Sequence, residues 1–143
     1  MRLDKAARLI MDEFSSLDFK MEELNAEKLI LTASNVNAKA YFDDDIYCRV
    51  VAYTSGTVHV FFTFDMIDMD NVTLRLINDF NDNVPFLKAN ITTINDKTYL
   101  QLHGANISCS DETVIHSTVS FFFGELLDEN TLEFLQPLTD LTY

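Results

Sequence analysis

Apolar residues recur at three- and four-residue spacing over residues 2–14. Leu3, Ala7, Ile10 and Phe14 form one stripe, with Arg2, Asp4, Lys5, Arg8 and Asp12 largely outside it. That period predicts an amphipathic helix. The period then shortens. Phe19-Lys20-Met21-Glu22 alternates, and Leu29-Ile30-Leu31 is a short apolar run, so two short strands are expected. Residues 34–45 alternate only weakly, and Asp43-Asp44-Asp45 reads as a turn.

The strongest local signal follows. Residues 46–54 and 57–65 are rich in Val, Phe and Tyr and flank Ser55-Gly56, which reads as a two-residue hairpin turn. That turn sets Tyr53 opposite Val58, Val51 opposite Val60 and Arg49 opposite Phe62. One face then carries Tyr47, Val51, Tyr53, Val58, Val60, Phe62 and Phe64 and is expected to be the core face. The other carries Cys48, Val50, Ala52, His59, Phe61 and Thr63. It is too apolar for an uncovered sheet, so Val50 and Phe61 become candidates for a partner contact.

Helical period returns over 71–84, where Val72, Leu76, Ile77, Phe80 and Val84 share a stripe opposite Arg75, Asn78 and Asp82. Asp70 is the expected N-cap, and Pro85 closes the helix. A second hairpin is expected over 86–107, turning at Asp96-Lys97. It puts Ala89, Ile91, Leu100 and Leu102 on one face and Lys88, Asn90, Thr92, Gln101 and His103 on the other. Ser110 or Asp111 caps a last helical region with the stripe Ile115, Val119, Phe122 and Leu126. The stretch 130–136 adds Leu132 and Leu135, and Pro137 is expected to end regular helix. The order predicts one α+β domain over residues 1–143: an antiparallel sheet of about five to six strands flanked by three helices on one face.

Composition sharpens this picture. The chain has 143 residues, is 48% hydrophobic and contains twelve Phe, three Gly and two Pro, which suits a globular core. Its 23 acidic residues against 10 basic leave a net charge of −13. No Lys/Arg patch offers counterion release, so nucleic acid is not an expected partner. The first residues are too interrupted by charge for a signal peptide or membrane span, and two distant cysteines, Cys48 and Cys109, make no disulfide framework. A cytoplasmic protein is expected, and the sequons at Asn71, Asn90 and Asn106 then carry no weight.

Candidate chemistry is sparse. His59, His103 and His116 are separated by more than zinc-site spacings, so no metal site is assigned. Asp65 to Asp70 fails the EF-hand pattern at positions six and twelve and reads as a solvated strand-to-helix connection. No nucleophile elbow or glycine-rich phosphate loop occurs, so no catalytic residue and no cofactor is assigned. Phe61, Phe62 and Phe64, and then Phe121-Phe122-Phe123, cannot all face one core. Phe61 and either Phe121 or Phe123 are therefore further candidates for a partner surface.

Leu76-Ile77-Asn78-Asp79-Phe80-Asn81, running on to Phe86-Leu87-Lys88-Ala89, resembles the central motif of the YbjN-like family. These are small acidic bacterial proteins described as sensory-transduction regulators. Asn78 and Asn81 match the family's Asn pair, and Lys88-Ala89 its strand. The chain departs from the family pattern in having no Trp and only Gly104 before the last helix. The resemblance implies a fold similar to type III secretion chaperones, with a binding or regulatory role and no catalytic residues to transfer. From the helix pattern, Asn81 is expected to clamp helix to strand while Asn78 faces outward; direct ligand contact is the alternative. The leading expectation is a non-enzymatic module binding a protein partner or itself as a homodimer. The alternative is a small-molecule or metal-sensing regulator with a pocket between helix and sheet, rimmed by His103, Asn90 or Gln101.

Overall fold

The structure, a computed structural model, describes residues 1–34, 36 and 45–143. The expected turn at Asp43-Asp44-Asp45 falls mostly outside those residues. Six strands among these residues form one antiparallel sheet: β1 (Lys20–Leu24), β2 (Lys28–Ala33), β3 (Tyr47–Tyr53), β4 (Val58–Met66), β5 (Lys88–Ile94) and β6 (Lys97–Asn106). Their spatial order is β1-β2-β3-β4-β6-β5, so β5 lies at an edge and β6 returns beside β4. Among the described residues four α-helices, one helix more than expected, complete an α+β fold: α1 (Leu3–Glu13), α2 (Asn71–Asn83), α3 (Glu112–Leu126) and α4 (Glu129–Thr139).

The helix ends follow from local chemistry. Asp70 accepts from the Thr73 N–H and Asp111 from the Val114 N–H, both at 2.9 Å, satisfying first-turn donors that have no partner within the helix. The α3 stripe Ile115, Val119, Phe122 and Leu126 is buried as expected. In α2 the buried stripe is turned slightly, to Thr73, Ile77 and Phe80, leaving Val72 exposed. Pro137 does not end α4, which continues to Thr139. A proline this close to a helix end removes one backbone bond, and the Asp140 N–H still reaches the Gln136 carbonyl.

The first hairpin corrects the expected register. Tyr53 N–H donates to the Thr57 carbonyl and Gly56 N–H to the Tyr53 carbonyl, both at 2.9 Å, and Gly56 has φ 98°. This is a three-residue loop with glycine in the left-handed position, not a two-residue turn. A side chain at Gly56 would also stand 2.7 Å from the Cys109 carbonyl oxygen. The extra loop residue sets Val50 opposite Val60, Val51 opposite His59 and Arg49 opposite Phe61. Every β3 side chain therefore changes face. Cys48, Val50 and Ala52 point into the core, and Tyr47, Arg49, Val51 and Tyr53 point away from it.

The second hairpin turns at Asn95-Asp96, both with positive φ, and pairs Ile94 with Lys97. The turn lies one residue earlier than expected, which moves the register by two and leaves both faces as assigned.

All four helices lie against one sheet face. The core there joins Ile10, Phe62, Phe80, Leu102, Val119 and Leu135. Gly104 lets α3 approach closely, since a Cβ there would stand 2.4 Å from the Phe122 ring. Phe123 stacks on Phe14 at 4.5 Å and meets Phe62 edge-on at 5.2 Å.

Candidate functional site

Among the described residues no helix lies on the outer sheet face. Strand register builds it in rows. One row crosses all six strands: Lys20, Thr32, Arg49, Phe61, His103 and Lys88. The next runs Glu23, Ile30, Val51, His59 and Ala105, and another Tyr47, Thr63, Gln101 and Asn90. Ile30 and Val51 are nearly buried yet stand apart from the core cluster, forming a small apolar centre of their own. The long row carries no carboxylate, although the chain is strongly acidic.

At the middle of this face two histidines meet. His59 Nδ1 and His103 Nε2 are 2.9 Å apart, one ring donating and the other accepting. Phe61 lies flat on His103, with ring centroids 4.5 Å apart and planes 6° from parallel. Partial burial, and then the neighbouring His59, hold the His103 imidazole below its ordinary pKa, so it is neutral at neutral pH. The sequence separation of 44 residues hid this pair; only the β4–β6 pairing brings it together.

The candidate residues divide. Phe61 is half-buried on the outer face. Val50 is not available to a partner, because the corrected register buries it completely in the core. Phe123 turns inward to the aromatic cluster with Phe14, Phe19 and Phe62, because its place on α3 faces α1 and the sheet. Phe121 is 44% exposed and meets the exposed Phe86 edge-on at 5.1 Å. Together with Ala105, Val114 and Phe122 they line a shallow apolar groove of about 530 Å³. Sequence reading did not single out Phe86, although Pro85 before it marks an irregular segment.

Asn81 is a clamp between helix and strand. Its amide nitrogen donates to the Ala89 carbonyl at 3.0 Å, and its amide oxygen accepts from the Ala89 N–H at 2.7 Å. Lys88 Nζ donates to the Asn81 and Val84 carbonyls at 2.8 and 3.0 Å, placing a cation at the C-terminus of α2. Asn78 is exposed.

The pocket expected between helix and sheet is not rimmed by His103, Asn90 or Gln101. Those three stand on the face turned away from the helices, because the odd residues of β6 and the even residues of β5 point outward. His116 instead lies 3.4 Å from Glu13, which also accepts from the Ser120 hydroxyl. Asp68 accepts from the Tyr143 hydroxyl at 2.7 Å, so the acidic connection is partly tied down. Burial pushes the Cys48 thiol far above its ordinary range, leaving it protonated and unsuited to nucleophilic work.

Among the described residues no group of three or more His, Cys, Asp or Glu could hold a metal ion, and no helix is long and apolar enough to cross a membrane. No family model, curated protein or solved structure matches the chain.

Proposed function

We propose that this chain is a non-enzymatic binding module whose open sheet face receives a protein surface, in the simplest case a second copy of itself. The observation that carries this reading is the sheet face on which no described helix lies, where half-buried Phe61 and exposed Tyr47 stand beside Arg49, with Lys20 in the row of Phe61. An aromatic and aliphatic centre with a polar rim is the usual anatomy of a protein interface. Charge supports it too. The helices carry acidic residues such as Asp12, Asp79, Glu112 and Glu133, so two copies apposed through their sheets keep those charges apart. The YbjN-like resemblance, with its chaperone-like fold and regulatory role in the bacterial cytoplasm, agrees with a binding function and belongs to the same proposal.

Light scattering and sedimentation on the pure chain test the reading. A dimer is expected, and Phe61→Asp is expected to dissociate it while leaving the thermal transition nearly unchanged. A strict monomer over a wide concentration range would remove the second copy as the occupant. Loss of folding in step with association would reassign Phe61 to internal packing.

A further inference from the structure

The meeting of His59 and His103 has a use beyond partner binding. We propose that His59 Nδ1 and His103 Nε2 form a two-imidazole site for a late divalent transition metal ion, Cu²⁺ foremost, on the open sheet face. The site stands whether or not that face also receives a protein.

Three features of the pair support this. The first is spacing. Two cis ligands of a tetragonal ion, at metal–nitrogen distances of roughly 2.0–2.1 Å, stand about 2.9 Å apart. The two nitrogens are separated by 2.9 Å. Among divalent ions, two imidazole ligands favour Cu²⁺ over Zn²⁺ on intrinsic affinity. The second is support. Both histidines stand on adjacent, paired strands, and Phe61 stacks on His103. The third is availability. Among the described residues neither ring has another hydrogen-bond partner, and neither is fully buried.

Binding needs little rearrangement. The ring that now donates moves its proton to its other nitrogen through solvent, so both facing nitrogens present lone pairs with no net proton release. Each ring then turns about Cβ–Cγ, a torsion with a broad minimum, until the lone pairs converge. The protein supplies two ligands, and water or a group from an apposed surface takes the remaining positions.

Isothermal titration of the tag-free full chain with Cu²⁺ and with Zn²⁺, read beside the visible absorbance of bound Cu²⁺, tests the site. One equivalent of Cu²⁺ is expected, bound more tightly than Zn²⁺. Losing either ligand is expected to weaken Cu²⁺ binding by at least the roughly 10–100-fold that loss of an outer-shell partner costs. His59→Ala and His103→Ala should both show this, and His116→Ala should not. Should a variant fail to fold, the wild-type chain still decides. Paramagnetic broadening by substoichiometric Cu²⁺ should centre on the side chains of His59, Phe61 and His103. Cu²⁺ affinity unchanged from wild type in His59→Ala and His103→Ala would overturn the proposal, as would broadening centred on His116 or the acidic helices.

Discussion

Phe61 and Phe62 are neighbours in one strand and differ only in which side of the sheet they face. Phe62 is wholly buried, edge-on to Phe123 and enclosed by α3 and the sheet. Phe61 lies half-buried against His103, with no helix above it among the described residues. The inner face carries the main core, whereas on the outer face Phe61 keeps part of its ring accessible. Identical side chains one residue apart thus divide between the core and the surface, and that division is measurable.

The largest effect is expected at this pair. Phe62→Ala should cost about 3–5 kcal/mol in urea unfolding, and Phe61→Ala about 1 kcal/mol or less. Equal costs would erase the distinction between the faces. Gly104 and Ala105 offer the same contrast in the small-to-large direction. Gly104→Ala drives a methyl group into the Phe122 ring and should cost about 1–3 kcal/mol. Ala105→Ser, on the outer face, should stay within about 0.5 kcal/mol by the same measurement.

At the sheet's edge, Asn81→Ala leaves the Ala89 N–H and carbonyl without their partner and should cost about 1–3 kcal/mol. Asn78→Ala should cost about 0.5 kcal/mol or less. A comparable loss at Asn78 would show that the two asparagines act together.

The smallest effect is a pH dependence belonging to the outer face. The folded state holds His103 below its ordinary pKa, so the unfolded state binds the proton more readily. His103 therefore contributes fully above the unfolded value of about 6.5, and that contribution is lost as pH falls through the lower folded value. Melting temperatures of the wild type should fall more steeply below that point than those of His103→Gln. Parallel profiles would mean that the pair is not felt in stability.

How far the fold could be read from residues is clearest in the two hairpins. Helix stripes, caps and strand identities follow local rules, and α1, α2 and α3 lie close to their expected bounds. Strand faces depend on turn chemistry at the resolution of one residue. At Ser55-Gly56 local rules favour a two-residue turn, whereas the glycine sits at the end of a three-residue loop. The resulting slip exchanged the roles of Val50 and Val51. At Asn95-Asp96 the turn also lay elsewhere than expected, but a shift of two preserves the faces, so Ala89, Ile91, Leu100 and Leu102 remained inward. The His59–His103 contact was not legible at all, because it depends on β6 returning past β5 to pair with β4. Phe121 could be narrowed only to one of two residues, since the position of α1 decides that Phe123 turns inward.

The pairing of the first helix with the third has a consequence for how the chain acquires its structure. Glu112 accepts a hydrogen bond from the Arg2 backbone N–H at 2.7 Å, across 110 residues of sequence. Ile10 and its neighbours are covered in part by an element made late in synthesis. While the chain is being made, β1 to β4 can pair in succession, but α1 cannot complete its burial until α3 has left the ribosome. Its apolar stripe is then an unsheltered surface on the nascent chain, a point of vulnerability to aggregation that lasts until its distant partner arrives. In pulse-labelled hydrogen exchange, the amides of α1 should gain protection together with those of α3 and after those of the strand meander.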